Sequence, residues 1–384
     1  MTQVLRPPFL GVYVHLPFCP YICPYCDFAK WPHRRSAADR YLRALEAEID
    51  ATAPREAGTI FFGGGTPNAY DAKTLANITQ RLRGRFPAPR DLVPEISVEV
   101  NPELVENGDF QTYRSAGVTR VSIGVQSFDP VEIATLGRRH SVDQVAAVVA
   151  SARAAGIGSI SIDLMFAVPG QSPGSWRRSL ERAIALGVDH VSTYGLTVEE
   201  GTPYAGWRLR EPGAFLDADR EADLYDIAIA TLESAGFEHY EISNFARPGH
   251  ACAHNANYWA NGQYVGLGVG AASFLDGVRR VNTRDLEGYL EAAMSGAPIP
   301  GEAERLLGTK RAGEAAMLAL RTAQGVCLQA FKERYGIDFM TYYAPILANL
   351  TADGLLEIDD DRARLTRRGR FLANDACGAF VTFE

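Results

Sequence analysis

The feature that most restricts the fold of this chain is a sixfold alternation of short apolar runs and helix-like stretches over its first 235 residues. Val12–Leu16, Thr59–Phe62, Ile96–Val100, Val121–Val125, Ile160–Phe166 and Val191–Leu196 read as strands. Helical patterns fall between them near 39–52, 72–85, 107–116, 141–155 and 174–187, and a sixth follows near 218–235. Strands rich in Val and Ile that alternate with helices are joined by right-handed crossovers into a parallel sheet. Six units predict an α/β fold built as a partial, open (β/α)6 barrel, with an open doubly wound sheet as the rival.

Polar and glycine-rich motifs gather at one end of these strands. The first runs into a loop with Cys19, Cys23 and Cys26, and the second into Gly63-Gly64-Gly65-Thr66-Pro67. The third carries Glu99 and ends in Asn101-Pro102, and the fourth ends in Gln126-Ser127. The fifth contains Asp163 before Pro169-Gly170-Gln171, and the sixth brings Tyr194 and Thr197. Active sites of β/α barrels are built at the C-terminal ends of their strands, so this clustering favours the barrel.

Past residue 236 the alternation lapses. Glu238–Asn244 suggests one more strand, and a long loop over about 245–275 is rich in Gly, His and aromatics. Loops of that length in a compact protein are functional or disordered, and the aromatics argue for function. The stretch GAPIPGE near 296–302 marks a boundary, giving a domain over 1–300 and a second over 301–384. The second reads as helices 303–322, 327–335 and 342–351, a hairpin (Leu355–Ile358, Arg364–Thr366) and a final helix: small, mainly helical and winged-helix-like. Cys327 and Cys377 fall on its predicted helices as packed core thiols.

A net charge of −8 argues against a nucleic-acid binder, which works by clustered Lys and Arg. MTQVLRPPFL has no signal-peptide core, and no stretch has the roughly 18 apolar residues of a membrane helix. A cytoplasmic protein is expected, with peripheral membrane contact and a dimer left open.

Three cysteines within eight positions, spaced C-x3-C-x2-C, read as metal chemistry. Structural zinc takes four ligands in a closed site, which His15, Asp27 or His33 would have to complete. A [4Fe–4S] cluster is held by four thiolates, and three leave one iron open to a small chelating molecule.

This spacing, with Tyr25 before the last cysteine, resembles the signature of the radical S-adenosylmethionine (SAM) superfamily. YVHLPFC, FFGGGTP, SVEVNPE, GVQSF, LGRRH, IDLMFAVPGQ, YEISNFA and HNANYW narrow the likeness to its coproporphyrinogen-oxidase-like branch, over nearly the whole chain. The resemblance implies a radical SAM partial barrel in which Cys19, Cys23 and Cys26 hold a [4Fe–4S] cluster whose open iron is chelated by SAM. It implies SAM contacts at Tyr13, Tyr25, Gly64, Gly65, Thr66, Glu99, Gln126, Arg138 and Asp163. Carboxylates and an amide suit ribose hydroxyls and the ammonium, and an arginine suits the carboxylate.

Two activities exist within the branch. One is oxygen-independent decarboxylation of coproporphyrinogen III; the other is a haem chaperone that passes haem to haem proteins, including those of the respiratory chain. The oxidase's motif continues to a further cysteine two residues after the third, where this chain has Phe28. The oxidase also has a longer arm before its cluster, whereas Cys19 here lies near the start. Both departures point to the chaperone, with the oxidase as the alternative. The resemblance then associates haem with His254, Asn255, Tyr258 and Trp259. His250, Cys252 and His254 are residue types that ligate haem iron, and His254 is the first choice.

Overall fold

The computed structural model describes residues 8–381. Its main sheet has strands β1 (Gly11–Leu16), β2 (Thr59–Gly64), β3 (Glu95–Val100), β4 (Arg120–Gln126), β5 (Ser159–Phe166) and β6 (His190–Gly195). They lie side by side in chain order, each parallel to the next. A doubly wound sheet reverses direction at a switch point. This one never does, so all the crossovers wind one way and the partial (β/α)6 barrel is the architecture.

Helices Ala72–Arg85, Val142–Ala154, Pro173–Ala185 and Ala218–Ser234 start where the sequence supplies a cap. Asp71, Ser141, Ser172 and Asp217 each accept a backbone N–H from the first turn. The strands alternate. Val12 and Val14, Ile60 and Phe62, Val121 and Ile123, and Ile160 and Ile162 are buried in one large apolar cluster that also takes up helix residues such as Tyr41, Leu75 and Trp176. The intervening residues face into the barrel, where several are polar.

Four differences from expectation fall between residues 236 and 320. Glu238–Asn244 is a hairpin, β7 (Glu238–Glu241) and β8 (Asn244–Ala246), whose second strand adds antiparallel to β6. The expected loop over 245–275 is largely ordered: it holds helix Ala253–Trp259 and strands β9 (Tyr264–Leu267) and β10 (Ala272–Leu275). Several of its glycines serve close packing rather than flexibility: a Cβ on Gly266 would lie 2.0 Å from the Ala272 carbonyl oxygen. β9 pairs parallel with β1, so the barrel gains a seventh parallel strand on the edge opposite β6. Finally, residues 301–305, expected to open a helix, form β12 (Gly301–Arg305) against β11 (Val278–Asn282), and the helix spans Gly308–Leu320.

The C-terminal part has its own buried cluster, from Ala312 to Phe380. Helices pack there on a three-stranded antiparallel sheet of Val326–Cys327, Arg362–Leu365 and Leu356–Ile358, as a winged-helix-like module would. Cys377 is buried as expected, but Cys327 is half-buried on a strand rather than in a helix. Among the described residues no helix is long and apolar enough to cross a membrane.

Candidate functional site

The cysteine loop leaves β1 and is closed at its neck. Phe18–Cys19 pairs with Trp31–Pro32, and the His33 N–H donates to the Cys19 carbonyl at 2.8 Å. Lys30 Nζ folds back to donate to the carbonyls of Cys26 (2.6 Å) and Phe28 (3.2 Å). The loop rests on a small apolar cluster of Leu136, Met165, Val168, Leu196 and Tyr204, against which Tyr25 packs. All three cysteines line one cavity of about 490 Å³. Asp27 lines it too, but His15 belongs to a different cavity, and His33 packs edge-on against Phe18. Among the described residues, no three His, Cys, Asp or Glu side chains converge on a single metal ion. Of the three side chains that could complete a zinc site, only Asp27 lines the thiol cavity.

The glycine run fits against this loop. A Cβ on Gly65 would stand 2.6 Å from the carbonyl carbon of Pro17, and one on Gly64 2.5 Å from the His15 ring. Gly64 also has φ of +110°, a conformation that favours glycine. Bare backbone lets β2 come close to the start of the cysteine loop, and the Gly65 N–H donates to the Leu16 carbonyl at 2.8 Å.

Eight of the nine expected SAM residues line the thiol cavity: Tyr25, Gly64, Gly65, Thr66, Glu99, Gln126, Arg138 and Asp163. Gln126 has φ of +68° at a register shift in β4, an uncommon conformation for a non-glycine residue, held where the side chain meets the cavity. Arg138 is buried; its Nη2 donates to Asn101 Oδ1 (2.7 Å) and the Gly124 carbonyl (2.6 Å), and Nη1 lies 3.9 Å from Cys23 Sγ. Its Nε is buried without an acceptor. Glu99 and Asp163 are half-buried where they line the cavity: burial, then the charge of Asp163, raises Glu99 to about 8, and burial raises Asp163 to about 6. A cation between them would favour their ionised forms.

Tyr13, the ninth, does not join them. It lines a second cavity, of about 540 Å³, inside the barrel. Its hydroxyl lies 3.0 Å from His15 Nδ1, and its ring stacks on Phe61. The two cavities share Phe28, Gly64, Glu99, Asp163 and Tyr194 as a common wall. Phe28 is 62 % exposed there.

The expected haem residues divide. His254, Asn255 and Tyr258 line the second cavity, while Trp259 faces away into a third. His254 is buried and has no free nitrogen: Nδ1 lies 2.7 Å from Thr59 Oγ1 and Nε2 2.8 Å from the Tyr258 hydroxyl. Burial lowers its pKa to about 4, so the ring is neutral. Both nitrogens of this first-choice axial ligand are thus engaged within the protein. Cys252, pushed up to about 12 by burial, lies 3.5 Å from a Glu95 oxygen, and His250 stands 3.3 Å from Ser159.

Sequence reasoning missed much of the second cavity: Arg120, Ser122, Ser161, His190 and Ser192 also line it. Their signal was present as alternate positions on β4, β5 and β6, each flanked by buried Val or Ile.

A singly wound set of parallel strands, with a three-thiol loop after the first and a bare glycine turn after the second, defines a radical SAM protein. Residues 13–183 match the radical SAM superfamily and residues 307–372 the HemN C-terminal domain. The chain is 39 % identical over 375 residues to a protein of Mycobacterium tuberculosis named heme chaperone HemW, covering 96 % of this chain and 93 % of that one. It is 34 % identical to the Bacillus subtilis heme chaperone HemW, covering 97 % and 99 %. The structure of the radical SAM enzyme coproporphyrinogen III oxidase (HemN) from Escherichia coli superposes with a TM-score of 0.85 at 26 % identity, covering 98 % of this chain and 90 % of that one. The chain belongs to the radical SAM superfamily, in the HemN-like family whose members include these HemW proteins.

That superfamily's cofactors are a [4Fe–4S] cluster and SAM. The residues present fit them: three thiols on one cavity with Gly64 and Gly65 beside them, a buried guanidinium N–H without an acceptor, and two half-buried acids.

Proposed function

We propose that this protein is a haem chaperone that holds haem beside a SAM-chelated cluster and delivers it to haem-accepting proteins. Cys19, Cys23 and Cys26 would hold the cluster, which when bound supplies an open iron for the amino and carboxylate groups of SAM. Arg138 would neutralise the SAM carboxylate, Glu99 and Asp163 its cationic part, and Gly64–Thr66 would lie against it.

The observation that carries the reading is the second cavity. At about 540 Å³ it falls within the roughly 300–1,000 Å³ of small-molecule sites. Phe61, Phe274, Tyr258 and Tyr264 give it aromatic walls, and Arg279 and Arg284 also line it. A flat apolar molecule with acidic edges suits such a lining. Tyr13, His254, Asn255 and Tyr258 belong here, as walls of the haem compartment. Support also comes from the HemW names at 34–39 % identity, against 26 % for the oxidase.

The oxidase is the second reading, favoured by the close superposition on HemN. Anaerobic titration of the reconstituted protein separates the two. A chaperone gives a saturable one-to-one haem complex and releases no CO2 from coproporphyrinogen III with SAM and reductant. SAM-dependent decarboxylation without a stoichiometric haem complex would overturn the proposal.

A further inference from the structure

Phe28 lines both the thiol cavity and the second cavity, and its backbone is held from two sides. Lys30 Nζ donates to its carbonyl at 3.2 Å and to that of Cys26 at 2.6 Å. From the barrel, His15 Nε2 lies 2.7 Å from the carbonyl of the next residue, Ala29. A carbonyl can only accept, so this nitrogen carries the proton, and burial lowers the His15 pKa and keeps the ring neutral. His15 Nδ1 is then the acceptor for the Tyr13 hydroxyl at 3.0 Å. A short chain of hydrogen bonds thus runs from Tyr13, on the wall of the second cavity, to the return leg of the cysteine loop.

The Phe28 ring itself is not held. The residue is 62 % exposed and joins none of the apolar clusters among the described residues. Tyr194, on β6, is the other large side chain of the wall that the two cavities share. It is 40 % exposed, yet burial raises its hydroxyl well above the ordinary tyrosine range, so its exposed surface faces the cavities. A fixed backbone with a loose aromatic ring leaves apolar surface that a ligand in either compartment covers.

We propose that Phe28 is a positioning residue shared by the two compartments. A ligand in the thiol cavity orders its ring, and the ordered ring packs against a flat ligand in the second cavity. A planar ring has two faces, so both ligands use it together. The first ligand bears the entropy of fixing the ring and the second does not, which makes the coupling positive and reciprocal. This role rests on reading the two compartments as the SAM and haem sites.

The test is titration of ferric haem into the cluster-reconstituted full chain, with and without saturating SAM, and without reductant so that SAM stays intact. SAM should tighten haem binding about three- to tenfold, and saturating haem should tighten SAM by the same factor in equilibrium dialysis. Phe28→Leu, which keeps apolar bulk in the loop but has no flat face, should lose the coupling with the cluster still loaded, as an iron assay reads. Phe28→Tyr, which keeps the ring, should retain it. A haem complex indifferent to SAM, haem binding weakened by SAM, or full coupling in Phe28→Leu would overturn this role and leave the haem reading standing. No haem complex in the wild type would overturn both.

Discussion

Thr59 Oγ1 and His254 Nδ1 lie 2.7 Å apart, tying the second barrel strand to the helix that walls the second cavity. The Tyr258 hydroxyl occupies the other ring nitrogen, and Phe61 stacks on the imidazole at 5.1 Å. His254→Ala leaves a hole and two hydroxyls without their partner, so a loss of about 2–4 kcal/mol is expected in urea unfolding. The haem complex of the folded variant should keep the wild-type Soret band, because both ring nitrogens are already engaged in hydrogen bonds. A Soret shift typical of a lost axial ligand would refute that.

Gly65 packs its backbone on the Pro17 carbonyl at a distance no Cβ tolerates. Gly65→Ala should cost about 1–3 kcal/mol and displace the entry to the cysteine loop, lowering iron content after reconstitution. Gly84, in helix Ala72–Arg85, has open space around it. Gly84→Ala should leave iron content unchanged and stabilise by about 0.5–1 kcal/mol.

Arg138 reaches Asn101, Gly124 and the edge of Cys23 from one planar group. A lysine is a point charge and cannot span them. Arg138→Lys should weaken SAM binding by about 10- to 100-fold, roughly 1.5–3 kcal/mol, at unchanged iron content. Equilibrium dialysis with labelled SAM, beside an iron assay, checks both halves.

Glu99 and Asp163 make the cofactor-free protein sensitive to pH. Their folded values, about 8 and about 6, lie above the ordinary carboxylate range. The folded state therefore holds protons the unfolded chain has lost. The stability present at low pH is lost as pH rises through that window. Without SAM, the urea midpoint should fall between about pH 5 and 8.5, and Glu99→Gln should remove much of the fall. SAM affinity should rise over the same range, since its cationic part favours both carboxylates ionised. A flat affinity profile in the wild type would count against their role in binding it.

The cofactor cavity was largely legible because its residues sit at strand ends, where sequence order and spatial order coincide in a singly wound sheet. The second cavity was not. Ser122, Ser161 and Ser192 read as ordinary interruptions in Val- and Ile-rich strands, since alternation separates two faces without saying which one encloses a space. Glycine was misread for a related reason: around 262–270 it permits strands to touch, and composition alone resembles a loop. On the helix Ala253–Trp259, one turn parts neighbours in sequence: His254 and Tyr258, four apart, share one cavity, and Trp259 enters another.

Local chemistry and order along the chain determined the three-thiol loop, the glycine cradle and the six-unit barrel, because each depends on residues close in sequence or on a regular repeat. Tertiary structure alone decided that Tyr13 lines the second cavity, that both nitrogens of His254 are already engaged, and that Phe28 stands between two compartments. Those outcomes depend on how the barrel curves and on strands far apart in sequence meeting at its edge, and no spacing within the chain encodes them.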